Sequence, residues 1–224
     1  MGRPGSRGSS GWWSGSLHRM LSRRRCRWHH RARGRGNLHA HSVLDDFDPV
    51  LSRARVGSPE AFTALYRDLA RPVAAYVRAR GAPDVDDVTS EVFLAVFTGL
   101  ARFTGTQEQF RSWVFTIAHR RVVDVWRRGA RTVAAVPYEA DTDVRTSASA
   151  EADALDGLGE EWVMEMLGHL TDDQREVLVL RIVGDLTVEQ VGAVVGRRPG
   201  AVKALQRRGL ATLRRILQAQ AVPL

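Results

Sequence analysis

The feature that most constrains the fold is a pair of helix-start signals in the last third of the chain. Thr171-Asp172-Asp173-Gln174 and Thr187-Val188-Glu189-Gln190 are both capping boxes, in which a hydroxyl and a Gln side chain three residues apart satisfy backbone donors reciprocally. The first box opens a helix with Val177, Leu178, Leu180 and Ile182 that Gly184 closes, and the second opens a short helix with Val191, Val194 and Val195 that Gly196 breaks. Pro199-Gly200 then opens a last helix with Val202, Leu205, Leu210, Leu213 and Leu217 as its apolar positions. Short helices joined by a tight glycine-containing turn read as a helix-turn-helix. Gly192 is small where the next helix must cross, Gly196 permits the turn, and Val202 is placed to lock the two helices together.

In that motif the second helix lies in the major groove with its N-terminal residues at the base edges. With Val202 and Leu205 turned inward, the outward face carries Lys203, Gln206 and Arg207, flanked by Arg197 and Arg198. Arg and Lys suit guanine O6 and N7, Gln suits adenine, and the remainder can hold phosphates. A helical hairpin with a solvated basic face is the bland alternative. The paired boxes and the C-terminus favour DNA, since residues 190–224 hold seven basic residues and no acid.

Charge is unevenly spread. The chain of 224 residues has 33 Lys+Arg against 25 Asp+Glu, a formal net charge of +8. Residues 1–42 contain ten arginines and no acid, so the rest carries −2. Residues 136–165 hold nine acids and one base, Arg145. An acidic connector ahead of a basic end points to a solvated linker and a polyanion-binding terminus.

The first 42 residues are rich in Gly, Ser, Arg and His, lack apolar periodicity, and are expected to be disordered. No apolar stretch follows the arginines, so neither a secretory nor a twin-arginine signal fits. Cys26, His29, His30, His39 and His41 are spaced too irregularly for a metal site, and one cysteine excludes an internal disulfide framework. A start at Met20 or near Val43 is an alternative origin for this stretch, because organised sequence begins only with VLDDFDPVL.

From 43 to 131 the reading is a bundle of helices. Ser58-Pro59-Glu60 starts the first, with Phe62, Leu65, Tyr66 and Leu69 at helical spacing. Pro72 is expected to break it, leaving a second short helix to Arg80 that Gly81 and Pro83 end. A third opens with Asp84, Asp86 and Asp87 and turns Val88, Val92, Phe93, Val96, Phe97 and Leu100 inward. After the loop Phe103–Gln109 a fourth runs from Phe110 to about Arg128. Its apolar positions include Trp113, Ile117, Val122 and Val125, and its other face holds Arg111, His119, Arg120, Arg121, Arg127 and Arg128. No segment alternates as a strand would, so the fold class is all-α, with two small helical domains joined by a flexible linker. The expected divisions are a tail at 1–42, a helical domain at 43–131, an acidic linker at 132–160, the helix-turn-helix domain at 161–218 and a tail at 219–224.

Cations interleaved with Phe110, Trp113, Phe115 and Trp126 on the fourth helix suit single-stranded nucleic acid, although aromatics at such spacing are more often core. Asp87 and Glu91, four apart, could hold a divalent cation as in metal-dependent nucleases. Acids in a first helical turn are also explained by the helix dipole, and no further ligand completes a site. The sequence offers no phosphate-binding loop or nucleophile elbow, so no cofactor, no metal, no small-molecule substrate and no enzymatic activity are expected.

The order of parts resembles the extracytoplasmic-function (ECF) group of bacterial RNA polymerase sigma factors, from about Asp45 to Leu217. EAFTALYRDLARPVAAYVRARG with DVDDVTSEVFLAVFTGLARF is similar to the family's core-polymerase-binding helices. QFRSWVFTIAHRRVVDVWRRGAR is similar to its promoter −10 helix. LTDDQREVLVLRIVGDLTVEQVGAVVGRRPGAVKALQRRGLATLRRIL is similar to its −35-binding domain. The resemblance implies a cytoplasmic, non-enzymatic initiation factor whose partners are core RNA polymerase and promoter DNA, duplex at −35 and single-stranded at −10. An anti-sigma factor is a further possible partner. It places Asp86, Asp87, Glu91, Val92, Phe93 and Val96 on the polymerase-docking stretch. Phe103, Gln109, Arg111, Trp113, His119, Arg120, Arg121, Arg127 and Arg128 fall at the −10 element, where the loop in relatives captures a flipped base. Arg197, Arg198, Lys203, Gln206 and Arg207 fall at the −35 element. Arg120 stands where many relatives carry Asn, Ala201 replaces a common Thr, and Leu205-Gln206-Arg207 departs from the usual run, so promoter preference does not transfer. The alternative reading is a stand-alone helix-turn-helix regulator with an N-terminal sensor or dimerisation domain.

Overall fold

Ser58 shows how local chemistry starts these helices. Its backbone is extended, its Oγ accepts from the amide of Ala61 at 3.3 Å, and Pro59 supplies a fixed φ at the first helical position. A computed structural model describes the backbone of residues 46–135 and 152–220, and side chains outside 131–135 and 152–158. The Arg-rich tail with its Cys and His residues, residues 136–151 of the connector and residues 221–224 lie outside the described residues.

Every regular element among the described residues is helical. In chain order these are α1 (Phe47–Arg55), α2 (Pro59–Ala79), α3 (Val85–Gly99), a short 3-10 turn (Leu100–Arg102), α4 (Gln107–Ala135), α5 (Ala152–Gly168), α6 (Asp172–Ile182), α7 (Val188–Val195) and α8 (Pro199–Gln220).

Three departures from expectation have physical causes. Pro72 does not break α2, which runs through it for 21 residues. An interior proline costs ~3 kcal/mol, and the unbroken stripe Leu65, Leu69, Val73, Tyr76 and Val77, all buried, offsets that cost on both sides of it. The first helix lies upstream, at α1, where Phe47, Val50, Leu51 and Ala54 are buried at helical spacing. The expected linker is shorter than 132–160, because α4 continues to Ala135 and α5 begins at Ala152.

The helix-turn-helix forms as its caps dictate. Thr171 and Thr187 both make complete capping boxes with Gln174 and Gln190. Gly196 takes the left-handed conformation at φ 68°, which releases the chain from α7 into α8. A Cβ on Gly192 would stand 2.6 Å from the carbonyl oxygen of Arg197, so only glycine lets the turn approach α7 this closely. Val202 is fully buried and Leu205 nearly so, as expected, whereas Leu210 and Leu217, also apolar positions of this helix, are over 40% exposed.

The described residues form one compact unit. Within it α2 packs on α6 and α4 packs on α7, so the first helical block and the helix-turn-helix touch directly. One apolar cluster joins Tyr76, Phe115 and Val122 of the first block to Val177, Leu180 and Val191 of the second.

Candidate nucleic-acid and polymerase interface

On α3, the Asp84 carboxylate caps the helix by accepting from the amide of Asp87 at 2.9 Å, leaving Asp86 and Asp87 exposed in the first turn. Glu91 faces Arg121 at 3.8 Å and Arg128 at 4.0 Å, so it sits among cations of α4. Among the described residues no group of three or more His, Cys, Asp or Glu is arranged to hold a metal. Val92, Phe93 and Val96 are 0–1% exposed. They cannot touch a docking partner, which corrects their expected role: they are the floor beneath the face. Leu94, 46% exposed, follows Asp87 and Glu91 at helical spacing and is the apolar member of the exposed face that pattern reading missed.

The loop before α4 is held by a third capping box. Thr106 donates its amide to Gln109 Oε1 at 2.9 Å, and Gln109 returns its amide to Thr106 Oγ1 at 3.3 Å. Gln109 is therefore tied down as a cap. Phe103 stacks on Trp113, centroids 5.1 Å apart and planes 27° apart, while Phe110 is buried beside both. Trp113 is half-buried and makes a wall of this loop.

The cations of α4 do not form one free face. Arg111 turns to Asp68 of α2 at 3.5 Å, and both side chains are largely enclosed. His119 turns to Glu176 of α6, with Nδ1 2.7 Å from Oε1. Arg120, Arg127 and Arg128 are exposed and Arg121 is partly so.

On α8, Lys203 and Arg207 are exposed, with Gln206 half-buried between them. These three share a shallow depression with Leu210, Ala211 and Arg214. Arg198 is exposed at the turn. Arg197 is exposed too, but its guanidinium donates to Asp173 at 2.7 Å and so braces the turn against α6.

Sequence reasoning missed the polar knot at the centre. Glu176 is buried, and its Oε1 accepts from the Tyr76 hydroxyl at 2.9 Å as well as from His119, with Arg80 Nε at 3.5 Å. A carboxylate only accepts, so the Nδ1 facing it carries the proton. Burial pushes the Glu176 carboxyl up, but the His119 hydrogen bond, the Arg80 and His119 charges and the Tyr76 hydroxyl outweigh it, and the group is held below the usual carboxylate range. Burial, then the charge of Glu176, raises the Tyr76 phenol well above its ordinary value and keeps it a donor. The available signal was Glu176 itself, an acid directly before the apolar run Val177–Leu180.

Comparison with known proteins gives this arrangement its family. Two family profiles match: Sigma-70 region 2 over residues 62–132, which spans most of α2 to α4, and Sigma-70, region 4 over residues 166–215, which spans α6, α7 and most of α8. The ECF RNA polymerase sigma factor SigD of Mycobacterium tuberculosis is 34% identical over 176 residues, covering 75% of this chain and 82% of that relative. The chain belongs to the ECF group of the sigma-70 family. The ECF sigma factor ShbA of Streptomyces griseus is 34% identical over 137 residues, 60% of this chain and 72% of that relative. Among solved structures, CnrH in complex with the cytosolic domain of CnrY is similar at TM-score 0.57 and 26% identity, covering 79% of this chain and all of that one. The sigma factor RpoE of Bartonella quintana, solved with the anti-sigma factor NepR, shares the fold at TM-score 0.53 and 19% identity, with 70% and 96% of the two chains covered. The sigma factor therefore carries a region 2 helical domain and a region 4 helix-turn-helix domain, as the sequence implied.

Proposed function

We propose that this sigma factor docks on core RNA polymerase through Asp86, Asp87, Glu91 and Leu94 of α3, reads −35 duplex with α8 and opens the −10 element at α4. The observation that carries the reading is the exposed face of α8. Lys203 and Arg207 project from the first half of the second helix of a helix-turn-helix, backed by the buried Val202 and Leu205, which is the placement that presents side chains to a major groove. Gln206 lies half-buried between them, an amide side chain suited to an adenine edge. Arg198 holds backbone phosphate, and Arg197 orients the turn through Asp173.

At the −10 element, the Phe103–Trp113 stack offers an aromatic wall for an unstacked base, and Arg120, Arg121, Arg127 and Arg128 neutralise the separated strand. Arg111 and Gln109 act indirectly, one bracing α4 on α2 and the other capping it. Work on polymerase places the factor in the cytoplasm, and no helix among the described residues is long and apolar enough to cross a membrane. An anti-sigma factor is a further partner in this reading, as NepR is for RpoE of Bartonella quintana.

The test is transcription from a genomic library by core polymerase with and without the purified protein, read by sequencing 5′ ends. Discrete protein-dependent starts with a shared −35 and −10 pattern are expected. No polymerase association and no new starts would overturn the reading.

A further inference from the structure

The loop after the 3-10 turn must hold an aromatic wall without regular secondary structure of its own. Phe103 is extended, at φ −71° and ψ 132°, and its amide still donates to the carbonyl of Leu100 at 3.1 Å. Its own carbonyl has left the helical ladder, and a partly buried carbonyl without a donor is costly. The donor comes from 48 residues upstream. Arg55, the last residue of α1, donates through Nη2 to the Phe103 carbonyl. A guanidinium is planar with its donors in fixed directions, so this bond sets the direction of the carbonyl as well as its place.

Helix α1 supports the loop at a second point. Phe47, at its other end, puts its ring 5.6 Å from that of Phe110, which lies 5.3 Å from Phe103 and 5.8 Å from Trp113. Phe47 and Phe110 are buried, whereas Phe103 and Trp113 are only partly so. A Cβ at Gly105 would stand 3.1 Å from Phe103 Cζ and 2.5 Å from Gln109 Oε1, so the ring is confined there too. The Phe103 ring is thus held by α4 and the loop, and its backbone by α1.

Arg55 is an unusual choice for a mere spacer. Its Nε is buried with no hydrogen-bond partner among the described residues, which costs stability that an aliphatic side chain would not lose. Helix α1 also lies upstream of residues 62–132, the stretch that matches Sigma-70 region 2. We infer that Arg55 is a positioning residue for promoter opening, setting through the Phe103 carbonyl the angle at which the Phe103–Trp113 wall meets an unstacked base. The inference rests on the −10 role proposed above and extends it to a helix outside the matched region. A wall turned from its place still offers apolar area to any base, but it loses the geometry that tells one base from another. Loss of Arg55 therefore blunts base choice at −10 rather than binding as a whole.

The experiment uses the full chain, core polymerase and a promoter identified by the 5′-end sequencing above. Four templates differ only at the −10 position whose replacement costs the wild-type protein most. Transcript yields give the ratio of best to worst base, duplex titrations give −35 affinity, and urea unfolding gives stability. Arg55→Met is expected to reduce the ratio by about tenfold, the scale of one charge-assisted hydrogen bond, with −35 affinity unchanged. Arg55→Lys keeps a charged donor without the planar fork and should fall between Arg55→Met and wild type. A wild-type ratio in Arg55→Met would overturn the inference, as would an equal loss on all four templates, which is what a purely supporting residue gives. If Arg55→Met lowers the urea midpoint, Arg55→Lys decides by the same ratio. A wild-type protein that gives no starts, or that does not discriminate at any −10 position, would instead count against the −10 role itself.

Discussion

The ring of Phe103 is stacked on that of Trp113, 5.1 Å away at 27°, and Gly99 lies against the six-membered ring of the same indole. A Cβ at Gly99 would come within 2.9 Å of Trp113 Cζ2, so the indole position is set by the absence of a side chain at the end of α3. Gly99→Ala is expected to push the indole out of its stack, weakening −10 opening more than −35 binding, at a stability cost of about 1–3 kcal/mol. Permanganate reactivity of −10 thymines should fall while duplex −35 affinity holds; an equal loss of both would show that Trp113 has no local role at the loop.

Arg207 and Arg198 should separate base reading from phosphate holding. Arg207→Ala is expected to reduce discrimination among −35 sequences by ~1–3 kcal/mol, whereas Arg198→Ala should weaken all duplexes alike and lower the salt slope by about one. Binding titrations on matched and mismatched −35 duplexes at several salt concentrations distinguish them.

Acid should loosen the polar knot at Glu176. The folded chain holds the Glu176 carboxyl below its ordinary value of 4.5, so it binds a proton less readily than the unfolded chain. The contribution of the knot to stability is then complete above the ordinary value and is lost as pH falls through the depressed one. The charged and titratable groups facing Glu176 are Tyr76 and Arg80 from α2 and His119 from α4. Stability to urea should therefore fall as pH drops below that ordinary value, and Glu176→Gln should show a smaller fall.

The sequence disclosed those parts whose physics is local. Thr171 and Thr187 announce their helices through neighbours three residues away, and Gly196 announces a left-handed turn, so the helix-turn-helix could be read to within a residue or so. Pro72 misled because its penalty is local while the burial that offsets it comes from α3, α4 and α6, which only the folded chain supplies. The helix at Phe47–Arg55 was legible in its spacing, Phe47, Val50, Leu51 and Ala54, but is short and preceded by no side-chain cap. The polar knot was hidden for a different reason. Tyr76 and Glu176 are 100 residues apart, and no spacing rule connects them. The same limit explains Arg111, which reads as a free cation beside Trp113 and is in fact held against Asp68.

Helix α3 offers a direct test of which residues dock and which support. Phe93 and Leu94 are adjacent in sequence, but Phe93 is 1% exposed with its ring 4.7 Å from that of Tyr66, and Leu94 is 46% exposed. Phe93→Ala should empty a core position and destabilise the fold by about 3–5 kcal/mol, with any loss of polymerase affinity following from unfolding. Leu94→Ala should leave the urea midpoint within about 0.5 kcal/mol of wild type and still weaken core polymerase binding, because it removes apolar area from the contact face alone. Asp87→Ala should behave like Leu94→Ala but with its effect diminishing as salt rises, since an exposed carboxylate acts through a screened field. Chemical denaturation alongside polymerase titrations at low and high salt separates the three. A Leu94→Ala protein that binds polymerase as tightly as wild type would remove α3 from the docking surface.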